Sequence, residues 1–252
     1  MKKQIPNLFT LANLFLGCLA IVSIMQTGLT IGIDANNETN LVEIPERIYL
    51  ASIFIAAAAV VDFFDGFVAR LLKVPSEMGK QLDSLADVVS FGVAPGLIIY
   101  QFLRLSFAQQ EGGLDVNAAF LLPAFIVPCA GAFRLARFNI DTEQSHGFKG
   151  VPIPAAGIWI ASFPLVYWFT KDLWVIELLR SYWFWYAIIL LSSYLMVSTL
   201  PMMALKFKEY SLKALLPFII LAIISVAGAF VLGWLAVTLS FIGYTILSLF
   251  YK

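Results

Sequence analysis

The sequence predicts an all-α fold, a polytopic helical membrane protein with about eight transmembrane helices. Three observations predict it. Hydrophobic residues make up 61% of the chain and charged residues only 13%, with a mean hydropathy of +0.88, whereas soluble domains carry about 25% charged residues. The apolar residues fall in blocks long enough for the roughly 20 that one helical crossing needs. The cations then separate by side. With a cytoplasmic N terminus, the far loops receive only Arg47, Arg104, Lys171 and Arg180 of the 16 Lys and Arg residues.

Taken in order, the first span is expected from Asn7 to Met25. Met1-Lys2-Lys3 ahead of it has the look of a signal peptide. No small-residue cleavage site follows, and Asn7 and Asn13 interrupt the stretch, so it reads as a retained helix. The polar stretch Gly32 to Glu46 has no assignable role. Spans two and three are expected at Ile48 to Leu72 and about Leu82 to Leu105, parted by Val74-Pro75, where proline disfavours continued helix. Spans four, five and six follow at Val116 to Phe138, Pro152 to Phe169 and Trp183 to Met203. The last apolar block, Ala214 to Phe250, is too long for one crossing and is split as a hairpin near Gly233. Both termini and the loops after spans two and four then face the cytoplasm. Trp159, Trp168, Trp174, Trp183 and Trp185 lie near proposed span ends, as interfacial anchors should.

A net charge of +0 gives no electrostatic footprint for nucleic acid. Cys18 and Cys129 sit in apolar runs, no Cys pattern for a metal exists, and the lone His146 reads as a solvated loop side chain.

Chemistry concentrates between Asp62 and Asp87. Asp62 and Asp65 are three apart and Asp83 and Asp87 four apart, so each pair shares one face of its helix. An antiparallel hairpin about Val74-Pro75 would bring Asp62 level with Asp87, and Asp65 level with Asp83. Carboxylates within a membrane are costly and usually pair or serve function. Neutralisation by Arg70, Lys73 and Lys80 is the plain structural reading. A metal cage is the sharper one, and oxygen-only ligands favour Mg²⁺ or Mn²⁺, with room for two ions. Gly66, Ala69 and Gly79 admit two uses, close backbone approach to a nucleotide or close helix packing.

The run Asp62-x2-Asp65-Gly66-x2-Ala69-Arg70-x8-Gly79-x3-Asp83-x3-Asp87 resembles, without gap or substitution, the signature of the CDP-alcohol phosphatidyltransferases. That resemblance implies metal-dependent transfer of a phosphatidyl group from a CDP-linked lipid to an alcohol, releasing CMP. It implies a six-helix catalytic core with the hairpin at about 214–250 accessory, and a homodimer. It also implies Asp62, Asp65, Asp83 and Asp87 as metal ligands, with Asp87 as the base that takes the alcohol proton. Gly66, Ala69, Arg70 and Gly79 would meet the CDP-lipid. Pro6-Asn7-x2-Thr10 resembles the start of family members in which the first helix holds the cytidine nucleotide; helix capping is the other reading of Asn7.

Arg134-Leu135-Ala136-Arg137-Phe138-Asn139 and Phe148 to Ala156 look like the corresponding stretches of bacterial phosphatidylserine synthases within this family. The resemblance therefore runs from Pro6 to about Ala156 and implies L-serine as acceptor and CDP-diacylglycerol as donor. Arg134 and Arg137 suit a serine carboxylate because a guanidinium can bind both oxygens; lipid phosphate or topology alone would use them equally well. Glycerol-3-phosphate or inositol phosphate are rival acceptors. A cation or solute transporter is the alternative of another class, but it would be expected to show an internal repeat and midplane acids, and neither is visible.

Overall fold

The computed structural model describes residues 5–26, 30–33, 40–44, 46–72, 76–110, 115–140, 148–203 and 212–250. His146, Lys73 and the side chains of Ala69 and Arg70 lie outside the described residues, as do Lys2, Lys3, Lys206, Lys208 and Lys252 among the cations behind the expected orientation.

Helix α1 (Ile5–Met25) begins with Pro6 in its first turn, where the missing N–H would be unpaired anyway. The polar stretch without an assigned role contains a hairpin, β1 (Thr30–Ile33) and β2 (Asn40–Glu43), paired with Thr30 opposite Glu43. Its Glu43 meets Arg180 at 3.4 Å. A 3₁₀ turn over Glu46–Ile48 leads into α2 (Tyr49–Leu72). Ser76 then caps α3 (Glu77–Asp87), its hydroxyl accepting from the Gly79 N–H at 3.0 Å.

Directly after Asp87 the helix widens into a π-helical segment, Val88–Val93, and continues as α4 (Ala94–Ala108). The third span is thus one passage from Glu77 to Ala108, longer at both ends than expected. The fourth enters through 3₁₀ turns at Ala118–Phe120 and Leu122–Phe125 before α5 (Ile126–Ile140).

Strand β3 (Phe148–Lys149) precedes α6 (Ile153–Phe169), and α7 (Leu173–Leu179) is bent by 70° against α8 (Tyr182–Val197). The sixth span ends well before Met203. Leu200-Pro201 breaks it, and β4 (Pro201–Met202) pairs with β3, Phe148 opposite Met202. Last come α9 (Leu212–Leu232) and α10 (Leu235–Phe250). They are joined at Gly233, whose φ of +56° is the left-handed conformation that glycine adopts without penalty.

The fold class is helical, with two short antiparallel ladders added among the described residues. Among the described residues four helices are long and apolar enough to cross a membrane, the bent pair α7–α8 makes a fifth, and Ile153–Phe169, Ile219–Leu232 and Leu235–Phe250 are further apolar helical stretches. Large apolar side chains such as Leu8, Phe15, Phe63, Leu190 and Phe230 face outward, as hydrocarbon contact requires. Trp174 and Trp183 are exposed, but Trp159 and Trp185 are core residues and not anchors. Trp185 stacks on Phe102 at 4.7 Å and donates to Leu179 O at 2.7 Å, so its one polar atom is satisfied inside.

Helix α1 packs along α2 and also against α3, and small residues allow the approach. Gly17 lies against Ser90 of the π-helical segment, and Gly157 of α6 against Phe91. A Cβ at position 157 would fall 2.7 Å from Phe91 O and 2.8 Å from Phe91 Cα, both backbone atoms that cannot step aside. Gly157→Ala is therefore expected to cost about 1–3 kcal/mol by overpacking, read as a lower thermal midpoint of the detergent-purified protein. An unchanged midpoint would contradict this packing.

Candidate active site

The sequence places its acids on two helices, and the fold closes them on a third. Asp62, Asp83 and Asp87 each turn a carboxylate oxygen inward, all within 4.8 Å of one another. Asp62 comes from the last turns of α2, Asp83 and Asp87 from one face of α3. Three carboxylates so close repel one another strongly in a low-dielectric setting, and a hard cation among them relieves that repulsion. An all-oxygen donor set on rigid helices fits Mg²⁺ or Mn²⁺. Lys80 does not neutralise the group. It is exposed and donates to Asn139 O at 3.0 Å, while Asn139 Nδ2 donates to Ser84 Oγ at 2.8 Å, which ties α3 to the end of α5.

Asp65 stands apart from the other three. It is buried and accepts a hydrogen bond from the Thr10 hydroxyl of α1, while still interacting electrostatically with Asp83. Thr10 itself is 1% exposed and lies 3.3 Å from Pro6 O. Asn7 lies one turn earlier on α1 and approaches α3, its Oδ1 being 3.2 Å from where a Gly79 Cβ would be. That spacing shows why position 79 suits glycine. Gly66 differs, because a Cβ there would meet nothing within 4 Å. It borders open space beside the acids rather than a packed helix.

Asn13 adds a contact that the motif spacing did not carry. It is fully buried, and its Nδ2 donates to Asp87 Oδ1 at 3.3 Å. Ser90 Oγ, in the π-helical segment, donates to Asn13 O at 3.0 Å. The only sequence signal was a polar residue three positions after Thr10 on an apolar helix.

The two arginines of α5 part ways. Arg137 donates to Val197 O at 2.7 Å and to Ser198 O at 2.9 Å, binding the carbonyls left open where α8 ends. Arg134 is 5% exposed and turns inward, within electrostatic reach of Asp87, with its guanidinium 5.8 Å from the Phe138 ring centroid. Its Nε is buried without a hydrogen-bond partner. A buried guanidinium with an unused donor is costly and stands ready for an anion.

Comparison with known proteins follows the same lines. A family model described as CDP-alcohol phosphatidyltransferase matches residues 3–179. A CDP-diacylglycerol–serine O-phosphatidyltransferase of Helicobacter pylori strain J99 is 37% identical over 157 residues, 62% of this chain and 54% of that protein. The Bacillus subtilis protein of the same name is 32% identical over 169 residues, covering 65% of this chain and 76% of its own length. An archaetidylserine synthase of Methanothermobacter thermautotrophicus is 34% identical over 133 residues, 52% of this chain and 53% of that protein. The chain thus spans about half the length of several curated relatives that it matches. With the matched stretch running from α1 to the end of α7 and enclosing all four aspartates, this chain belongs to the CDP-alcohol phosphatidyltransferase family.

Proposed function

We propose that this chain transfers the phosphatidyl group of CDP-diacylglycerol to the hydroxyl of L-serine, giving phosphatidylserine and CMP. The observation that carries the proposal is the convergence of Asp62, Asp83 and Asp87 beside a buried, incompletely bonded Arg134. Asp62, Asp83 and Asp87 would hold Mg²⁺ or Mn²⁺, and Asp65 would serve a second ion. A divalent cation bound there supplies charge neutralisation for the pyrophosphate and for the departing CMP.

The protein side chains do the rest. Asp87, oriented by Asn13, takes the proton from the serine hydroxyl. The freed oxygen forms a bond to the diacylglycerol-bearing phosphorus as the bond from that phosphorus to the CMP oxygen breaks. Arg134 holds the serine carboxylate at the correct distance, so orientation contributes as well as charge. Asn7 and Gly79 line the α1–α3 contact and Thr10 the α1–α2 contact, where the cytidine end would lie beside the open space at Gly66, and the motif assigns Ala69 and Arg70 to the same CDP-lipid. Arg137 serves by fixing α5 to α8, which in turn steadies Arg134.

The purified protein with CDP-diacylglycerol, offered serine, glycerol-3-phosphate and inositol phosphate in parallel, tests the reading. CMP release is expected with serine. Release with either phosphorylated alcohol alone would move the acceptor assignment, and no release with any would reject the transferase reading.

Eight crossings, a homodimer and a site opening toward the cytoplasm complete the proposal. The orientation has its own test, in a background where Cys18 and Cys129 are changed to serine. A cysteine at Asp172 is expected to react with an impermeant thiol reagent added outside intact cells, and one at Glu77 only after permeabilisation. The reverse labelling would invert the topology.

A further inference from the structure

Helix α3 carries two of the three converging carboxylates on only 11 residues. On one side it packs against α1, where Asn13 donates to Asp87. On another it is tied to the end of α5 by a closed set of bonds. Asn139 Nδ2 donates to Ser84 Oγ at 2.8 Å, and Lys80 Nζ donates to Asn139 O at 3.0 Å. Ser84 Oγ donates to Lys80 O at 3.2 Å, so its one proton stays within α3 and its lone pairs receive Asn139. Residues 80 and 84 share one helix face, and Asp83 and Asp87 share the next, about 100° around the axis. The end of α5 is itself held. Arg137, two residues before Asn139, donates to Val197 O at 2.7 Å and Ser198 O at 2.9 Å of the end of α8. That end is fixed in turn by Val151 N donating to Leu195 O at 3.0 Å and Gly150 N to Leu200 O at 2.9 Å.

We infer that Asn139 is a positioning residue for the metal site: through Ser84 its side-chain amide sets the rotation of α3, and with it the meeting of Asp83 and Asp87 with Asp62. Asp62 stands on another helix, so three carboxylate oxygens within 4.8 Å of one another require α3 to be turned correctly as well as placed correctly. The tolerance is small. A carboxylate about 5 Å from the helix axis travels about 1.7 Å when the helix turns by about 20°, whereas metal–ligand distances hold to about 0.2 Å. Apolar packing against other helices does little to fix that angle, because lipid tails are as apolar as leucine, and polar bonds between helices carry more of it. The inference rests on the proposal that Asp83 and Asp87 hold the cation, and it gives the end of α5 a task in building that site.

The test uses the full chain in detergent micelles with CDP-diacylglycerol and serine. It reads the Mg²⁺ concentration that gives half-maximal CMP release, with the thermal midpoint of each variant alongside. Asn139→Ala and Ser84→Ala each remove one partner of the same bond. Each is expected to raise the half-saturating Mg²⁺ about fivefold, the scale of one net hydrogen bond. The combined variant is expected to go no further than either alone, because both changes act through one contact. Ser84→Thr keeps the hydroxyl and is expected to titrate like the parent. A lowered thermal midpoint with an unshifted Mg²⁺ titration in both alanine variants would make the bond merely structural and overturn the inference. Shifts that add in the combined variant would overturn it as well. Asp83→Asn identifies which statement has failed. A shifted titration in Asp83→Asn with none in Asn139→Ala removes only the positioning role. An unshifted titration in Asp83→Asn removes the ligand assignment and the positioning role together.

Discussion

Asp87→Asn is expected to slow CMP release by about 10²–10⁴-fold, the usual contribution of a positioned general base, while the affinity for CDP-diacylglycerol changes little. The substitution is isosteric. Its amide oxygen still accepts from Asn13 Nδ2, so the α1–α3 contact survives while proton abstraction is lost together with one of the three converging charges. Asp62 and Asp83 remain to hold the cation and the pyrophosphate, so binding persists where turnover fails. The measurement is CMP release and lipid binding side by side at saturating Mg²⁺. Turnover within a few-fold of the parent would show that water or another group takes the proton. A parallel collapse of lipid affinity would instead make Asp87 chiefly a ligand.

Asp62→Asn should produce the complementary pattern. Its carboxylate is one of the three that converge among the described residues, and it meets Asp83 and Asp87 from a different helix. Losing that charge is expected to shift the Mg²⁺ titration of CMP release to higher concentration. The shift should reach at least the roughly 10–100-fold that loss of an outer hydrogen-bond partner costs a metal site, and CDP-diacylglycerol binding should weaken with it. The parent should lose activity in chelator and regain it with excess Mg²⁺ or Mn²⁺. Full turnover in chelator would defeat the metal assignment, and an unshifted titration in Asp62→Asn would remove Asp62 from the ligand set.

The contrast between these two variants reflects how the site is built. Asp62 faces α3 from another helix, so its position depends on α1, which packs against both. Asp87 is held locally, by Asn13 on one side and by the π-helical segment that begins at the next residue. Widened helical turns of this kind are often found at functional sites, because they redirect side chains without ending the helix. Here the segment brings Ser90 onto Asn13 O, which fixes the residue that orients Asp87.

Much of this was legible in the residue order. Helical periodicity is local, so spacings of three and four put each aspartate pair on one face before any tertiary contact is known. Proline is equally local in its effect, and α2 ends at Leu72 and α3 begins at Glu77, either side of the Val74-Pro75 pair that lies outside the described residues. Apolar length marked the spans for the same reason, and Gly233 marked the last turn. Sequence alone therefore determined a helical membrane protein with a cluster of acids at one hairpin.

The tertiary structure decided what depends on partners distant in sequence. Asp62 and Asp65 look equivalent on one helix face, yet Thr10, 55 residues away, engages Asp65 and leaves Asp62 to join Asp83 and Asp87. Arg134 and Arg137 look equivalent by spacing. The end of α8, some 60 residues on, takes Arg137 as a cap and leaves Arg134 buried by the acids. Trp159 and Trp185 look like interfacial anchors until α10 and α4 stack on them. In each case local geometry fixes the face a side chain occupies, and only the neighbouring helix fixes whether that face binds a ligand, caps a helix or fills the core.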